Sequence, residues 1–254
     1  MILVIDVGNS NVVLGLYKDD KLFHTARLST DKNKTEDDYC ALIYNLFKVS
    51  KINLSDIKGA IISSVVPPLT SAMQGCVERL IGKTPLVVGP GIKTGLNIRI
   101  DNPAQTGSDI VADTVAAYHL YGAPVIAVDM GTATTMNVVL ENGTFIGGCI
   151  MPGVKISLNA LSSSAAQLPF ISFEAPENPI SSNTIDCMKS GIVFGYASMI
   201  DGMVEKMAAQ LGVMPKVVAT GGMSSVIIPH CKNDIAVNPN LLLEGLYILY
   251  KKNI

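Results

Sequence analysis

The stretch VIAVDMGTATTMNVVLENGTFIGG, Val125 to Gly148, carries an apolar strand that ends in the carboxylate of Asp129 and then turns through Gly131 and a run of threonines. A strand core that delivers a charge into a turn of small residues needs something in that turn for the charge to meet, because a buried unpaired charge is costly. The segment LVIDVGNSNVVLGLYKDDKLFHT, beginning at Leu3, repeats the arrangement. Asp6 falls on Asp129, Gly8 on Gly131, and Asn9–Ser10–Asn11 on Thr132–Ala133–Thr134. Farther along, Asp19–Asp20 falls on Asn142–Gly143, and Asn-Gly between apolar runs predicts a type I′ hairpin turn with positive φ at both residues. Two hairpins with the same decoration predict two duplicated domains, 1–121 and 122–254, separated at Gly122–Ala123–Pro124.

Outward from the hairpins, strands alternate with helices. Thr35 to Val49 reads as a helix with Thr35 and Asp38 as a capping pair. Gly59 to Val66 reads as a buried strand stopped by Pro67–Pro68, and Leu86 to Val88 as another. Ser108 to Tyr121 is helical; Thr184 to Leu211, Lys216 to Thr220 and Leu241 to Lys252 follow as helix, strand and helix. The pattern is that of an α/β protein with mixed sheets. With no low-complexity linker between the halves, a shared interdomain cleft is expected.

The 254 residues are 48% hydrophobic, enough for a sizeable core, and the net charge is -2. Arg27, Arg79 and Arg99 are scattered, so neither a nucleic-acid face nor a polybasic membrane patch is expected. Met1 leads straight into an apolar strand, and no long uncharged stretch reads as a spanning helix; a soluble cytoplasmic protein is expected. The five cysteines form no metal-binding cluster.

The hairpins suit phosphate chemistry. Glycine allows close approach, and hydroxyl and amide side chains with backbone N–H groups make a cradle. Asp6, at the strand end, is placed for a hydrated Mg²⁺, which prefers carboxylate and phosphate oxygens. One hairpin from each half would grip a polyphosphate without a P-loop. VVGPGIKTG (Val87 to Gly95) only approaches a dinucleotide fingerprint, because Thr94 stands where the third glycine belongs. VVATGGMSS (Val217 to Ser225) brings Gly221–Gly222 to the end of a strand, either as a flat backbone against an adenine ring or as a plain strand-to-helix turn. In NPAQTGSDIVADT (Asn102 to Thr114), Asp109 is either a helix-start charge or a general base for a substrate hydroxyl, with Asp113 as its competitor.

Taken in order, D-x-G-N-S-N, N-P-x-x-x-G-x-D, V-D-x-G-T-A-T-T, Asn183–Thr184 and A-T-G-G resemble the type III pantothenate kinases, of the superfamily of acetate and sugar kinases, Hsp70 and actin. The resemblance covers the chain through NPNLLLEGLYILY. It implies two ribonuclease-H-like (actin-like ATPase) domains, a homodimer, and ATP-dependent phosphorylation of the terminal hydroxyl of pantothenate, the first step toward coenzyme A. It also implies roles for particular residues. Asp6, Val7, Gly8, Asn9, Ser10, Asn11, Val12 and Val13 form the first phosphate loop, with Asp6 on Mg²⁺. Asp109 is the base, Asp129 holds K⁺ or NH₄⁺, Thr132 contacts ATP, and Gly221–Gly222 border the adenosine. Ile100, Gly107, Ser108, Ile110 and Thr184 line the acceptor site.

Two polar substrate contacts of the family are isoleucine here. The base lies there in G-A-D-R, but here in Gly107–Ser108–Asp109–Ile110, and Ile100 replaces a tyrosine that contacts substrate. A third departure is Asn137, in place of an aspartate. The ATP side is kept while the acceptor side turns apolar. A kinase acting on a different, more apolar alcohol, or a non-catalytic ATP-binding regulatory protein, is therefore the alternative.

Overall fold

The computed structural model describes residues 1–165 and 167–254. Its elements in chain order begin with β1 (Ile2–Val7), β2 (Asn11–Lys18), β3 (Lys21–Ser29), α1 (Glu36–Val49), β4 (Gly59–Ser64), α2 (Pro67–Ile81) and β5 (Leu86–Val87). Then come β6 (Asn97–Ile98), α3 (Ser108–Tyr121), β7 (Val125–Met130), β8 (Ala133–Val139), β9 (Thr144–Pro152), α4 (Val154–Ser164) and α5 (Thr184–Leu211). The last are β10 (Lys216–Thr220), α6 (Ser224–Ile227), β11 (Ala236–Val237) and α7 (Leu241–Lys252).

Two mixed sheets result, and they are copies. The first runs β3-β2-β1-β4-β5; the second runs β11-β10-β7-β8-β9-β6, the same order read from its other edge with β6 added. In each, the first three strands are antiparallel and the next two join in parallel. This is the ribonuclease-H-like arrangement, twice. Packing divides the chain into unit 1, Met1–Leu96 with Asp101–Ala116 and Leu241–Ile254, and unit 2, Asn97–Ile100 with Ala117–Asn240. The division is not a single cut after residue 121, since α7 packs with the first sheet.

In unit 1, α1 and α2 cover one face of the sheet over Leu3, Ile5, Leu14, Tyr39, Phe47 and Met73. The opposite face carries Val4, Tyr17 and Ile61 beneath Val115, Leu246 and Tyr250. Tyr17 stacks flat on Tyr247 at 4.0 Å, and Asp20 accepts from Tyr247 Oη at 2.7 Å and Lys251 Nζ at 2.9 Å. In unit 2, α4 and α5 close over Val128, Met136, Val193 and Ile200.

Three local expectations are corrected. Pro67 and Pro68 end no element; they occupy the first turn of α2, where proline's missing N–H is no loss, and β4 stops earlier at Ser64. The type I′ geometry sits at Asp19 (φ 50) and Asp20 (φ 61), not at Asn142–Gly143, where only Gly143 has positive φ (75). There Gly143 N–H donates to Leu140 C=O and Leu140 N–H to Thr144 C=O, both at 2.9 Å, a longer turn closed by a glycine bulge. The capping pair holds: Asp38 N–H meets Thr35 Oγ1, and Thr35 N–H meets Asp38 Oδ2. All five cysteines are free thiols; Cys40 and Cys76 are buried and Cys187 is exposed.

Candidate functional site

In unit 1, β1 ends at Asp6–Val7 and the chain folds back at once, with Gly8 N–H donating to Asn11 C=O at 3.0 Å. Thr30, just past β3, pins this loop twice, from Oγ1 to Gly8 C=O at 2.6 Å and from its N–H to Ser10 C=O at 3.1 Å. A methyl on Gly8 would lie 3.2 Å from Asn11 C=O, so the turn is tight because the residue is small. Val7 and Val12 are buried in the core and bring only backbone to the loop, whereas Asn9 and Ser10 are exposed. Asp6 accepts from Ser63 Oγ at 3.1 Å, and Ser63 is its register partner on β4.

The segment expected to meet the acceptor packs against the same place. Ser108 Oγ lies 2.9 Å from Ser63 Oγ, accepts from Ser64 N–H at 3.0 Å and meets Ser64 C=O at 3.1 Å. Its hydroxyl is thus taken up within the protein. Asp109 follows in the first turn of α3, where its Oδ1 accepts from Ile110 N–H at 2.8 Å. Burial pushes the Asp109 carboxyl above the usual carboxylate range, against the opposing pull of that N–H. A methyl on Gly107 would overlap Asp109 Oδ1, so glycine here leaves room for the carboxylate to fold over the helix start. The competitor, Asp113, is 2% exposed. Ile110 is half-buried beside Asp109. Sequence reasoning missed Ser63, whose signal is the register of β1 on β4, and Thr106, whose Oγ1 is buried without a hydrogen-bond partner just ahead of Gly107.

Unit 2 repeats the theme with different side chains. Asp129, next to last in β7, pairs with Thr135 on β8 and Thr220 on β10, so two hydroxyl residues flank it on one face of the sheet. Asn137 Nδ2 donates to Thr135 Oγ1 at 3.0 Å. A methyl on Gly131 would lie 3.1 Å from Asp129 Oδ2, and one on Gly221 only 2.5 Å from Oδ1. The chain therefore wraps the carboxylate from two sides with glycine. Thr132 is exposed at the turn, and Gly222 is exposed next to Gly221.

The remaining expected residues stand elsewhere in unit 2. Thr184 opens α5 behind the cap Asn183, whose Oδ1 accepts from Asp186 N–H at 2.9 Å. It lines a cavity of 660 Å³ with Ser157, Leu161, Met188 and Ile192, not the Asp129 turn. Ile100 follows β6, and its Cγ2 would lie 3.7 Å from a methyl on Gly147 of β9. Arg99 is exposed and binds β9 through its N–H to Phe145 C=O at 2.9 Å. Among the described residues, no three His, Cys, Asp or Glu gather into a metal cage. A single carboxylate at a phosphate loop is instead the donor set of a hydrated Mg²⁺ shared with phosphate oxygens. No helix of the described residues is long and apolar enough to cross a membrane.

The family model for type III pantothenate kinase matches residues 2–206. A type III pantothenate kinase of Halalkalibacterium halodurans is 46% identical over 254 residues, covering 100% of both chains. This chain belongs to the type III pantothenate kinase family. Another member, from Geobacillus sp. strain WCH70, is also 46% identical, covering 100% of this chain and 98% of its own. Membership makes the chain an ATP-dependent kinase that acts on an alcohol group. Among solved structures, component A of the (R)-2-hydroxyglutaryl-CoA dehydratase of Acidaminococcus fermentans superposes with a TM-score of 0.59 at 14% identity. That likeness covers 98% of this chain and 96% of the other, and extends to the fold.

Proposed function

We propose that the chain transfers the γ-phosphoryl group of ATP to the terminal hydroxyl of pantothenate, the first step toward coenzyme A, as a cytoplasmic homodimer. The full-length 46% identity to pantothenate kinases supports the acceptor. The observation that carries the mechanism is Asp109, a carboxylate raised by burial at the start of a helix and next to the turn that holds Asp6.

Asp109 takes the proton from the hydroxyl as its oxygen attacks the γ-phosphorus, and the bond to the ADP oxygen breaks in line. A base whose pKa lies above the ordinary carboxylate range accepts that proton more readily at neutral pH. The backbone N–H groups of 7–13 cradle the phosphates, Asp6 would hold Mg²⁺, and Asp129 would hold K⁺ or NH₄⁺. Such cations, when bound, would supply charge that offsets that of the phosphates. Thr132 contacts ATP, and Gly221–Gly222 pass beside the adenosine. Gly107 and Ser108 shape the acceptor side through Asp109 and the backbone, with Ile110, Ile100 and Thr184 toward pantothenate. Descent from one duplicated domain, divided near Tyr121, accounts for the matching sheets.

A second reading rests on Ile100 and Ile110. With isoleucine at two places where the family presents polar groups, a more apolar alcohol fits the same catalytic set. Acceptor-dependent ADP release with Mg²⁺ and K⁺ or NH₄⁺ separates the readings. Pantothenate-dependent release is expected, reduced about 10²–10⁴-fold in Asp109→Asn with binding of an ATP analogue retained. Full turnover by Asp109→Asn overturns the assignment of the base. ATP binding with pantothenate inert and another small alcohol active selects the second reading.

A further inference from the structure

A directional hydrogen-bond chain in unit 1 links the acceptor segment to the phosphate-loop carboxylate. Ser64 N–H donates to Ser108 Oγ, Ser108 Oγ lies 2.9 Å from Ser63 Oγ, and Ser63 Oγ donates to Asp6 Oδ1. Counting protons fixes its direction. Ser63 Oγ donates its single hydrogen to Asp6 Oδ1 at 3.1 Å. Ser63 must then accept from Ser108, whose hydrogen is shared between Ser63 Oγ and Ser64 C=O. The series leads toward Asp6, with Ser108 Oγ also donating to Ser64 C=O. Ser63 is 0% exposed and Ser108 8%, so water does not stand in for either hydroxyl, and each bond polarises the next.

We propose that Ser63 and Ser108 are positioning residues of the phosphoryl transfer, which fix the Asp6 carboxylate for Mg·ATP and tie its orientation to the first turn of α3, where Asp109 sits. The inference rests on the roles proposed above for Asp6 and Asp109. Neither serine needs to touch a substrate. Ser63 acts on Asp6 directly; Ser108 acts through Ser63 while holding the segment before Asp109 to β4. Alanine occupies the place of Ser108 in the G-A-D-R pattern, so Ser108→Ala removes a link of the chain at a site where the smaller side chain is compatible with the fold.

The test is the Mg²⁺ dependence of binding of a non-hydrolysable ATP analogue, measured by calorimetry without acceptor and paired with steady-state kinetics. Proteins are wild type, Ser63→Ala, Ser108→Ala, the double variant, and Ser63→Thr, which keeps the hydroxyl. In Ser63→Ala the Mg²⁺ concentration at half-saturation should rise about ten- to a hundredfold, the cost of one hydrogen bond to a charged group. Ser108→Ala should raise it about two- to fivefold, by weakening the donor rather than removing it. In a linear chain the double variant should match Ser63→Ala within about twofold, since the hydrogen bonds lead from Ser108 to Asp6 by way of Ser63. Ser63→Thr should restore the wild-type requirement. Turnover should fall in both alanine variants while the KM for acceptor stays put.

An unchanged Mg²⁺ requirement in both single variants, or multiplicative losses in the double, overturns the proposal; serines that merely support the fold would lower the melting temperature and leave the Mg²⁺ requirement alone. If Ser63→Ala does not fold, Ser108→Ala decides by the same reading. Wild-type protein that fails to bind the analogue with Mg²⁺ overturns the proposed function itself. Wild-type protein that binds and turns over while the variants behave identically overturns this inference alone.

Discussion

Replacing Gly107 by alanine should leave the fold standing and disable the chemistry. The added methyl would fall inside 3.0 Å of Asp109 Oδ1, closer than real Cβ atoms approach anything. The clashing atom is the end of a side chain and not backbone, so the carboxylate gives way. Restoring an ordinary C···O separation of about 3.4 Å requires a swing of roughly 1 Å, and a displacement of that size from a reactive geometry costs on the order of 10²-fold in rate. The swing also strains or breaks the bond from Ile110 N–H, worth about 1 kcal/mol, while the stiffer unfolded chain offsets about 0.4–1 kcal/mol of that. The melting temperature should therefore move by no more than about 4 °C. The assay is pantothenate-dependent ADP release beside analogue binding: kcat should drop about 100-fold with nucleotide affinity within about twofold of wild type. A Gly107→Ala enzyme whose kcat stays within a factor of two of wild type would refute the argument that the placement of Asp109 governs turnover.

Other outcomes follow from the same geometry. Because burial raises the Asp109 pKa, kcat should fall on the acid side with a midpoint above the ordinary carboxylate value of about 3.9, and a midpoint at or below it would contradict the assignment. The linked stability effect has the opposite sign to a salt-bridged carboxylate: the cost of ionising Asp109 in the native state is absent at low pH and grows as pH rises through the displaced pKa. Asp109→Asn should thus melt above wild type at neutral pH, with the gap closing toward pH 4. Gly221→Ala places a methyl 2.5 Å from Asp129 Oδ1 and from the Met130 carbonyl carbon, at φ 88; it should lower stability by about 2 kcal/mol or more, read by thermal melting, and abolish binding of the ATP analogue. Asp201→Ala strips the acceptor from Lys232 N–H (2.7 Å), Asn233 N–H (3.0 Å) and Asn233 Nδ2 (2.8 Å). It should cost about 3 kcal/mol in denaturant unfolding, with Asp201→Asn losing less.

What the sequence made legible was local or repeated. The match of Asp6 with Asp129 anticipates two sheets of one order, and Thr35 with Asp38 places the start of α1 because a capping box is a short-range device. Thr184 to Leu211 emerges as a single helix from cap to Gly212, with Asn183 in front. The misses lie where a residue type serves two purposes. Pro67–Pro68 reads as a stop, yet proline also begins helices, and only the packing of Leu69 and Met73 under the sheet decides. Strands β5, β6 and β11, two residues each, carry no periodicity and exist because a neighbour offers an edge. Ser63 is invisible as a site residue until β4 is laid in register beside β1.

The place of α7 has a consequence for biosynthesis. Tyr250 sits over Gly59, Leu243 over Gly15 and Gly245 against Ala112, so the first sheet is roofed by a helix translated after the whole of unit 2. While the ribosome is still working, β1, β4 and the early part of α3 wait with one apolar face uncovered. Unit 2, drawn almost entirely from Ala117–Asn240, already has all its strands. The half made first is thus the half finished last, and a nascent chain halted near Asn240 would present an open greasy sheet to chaperones.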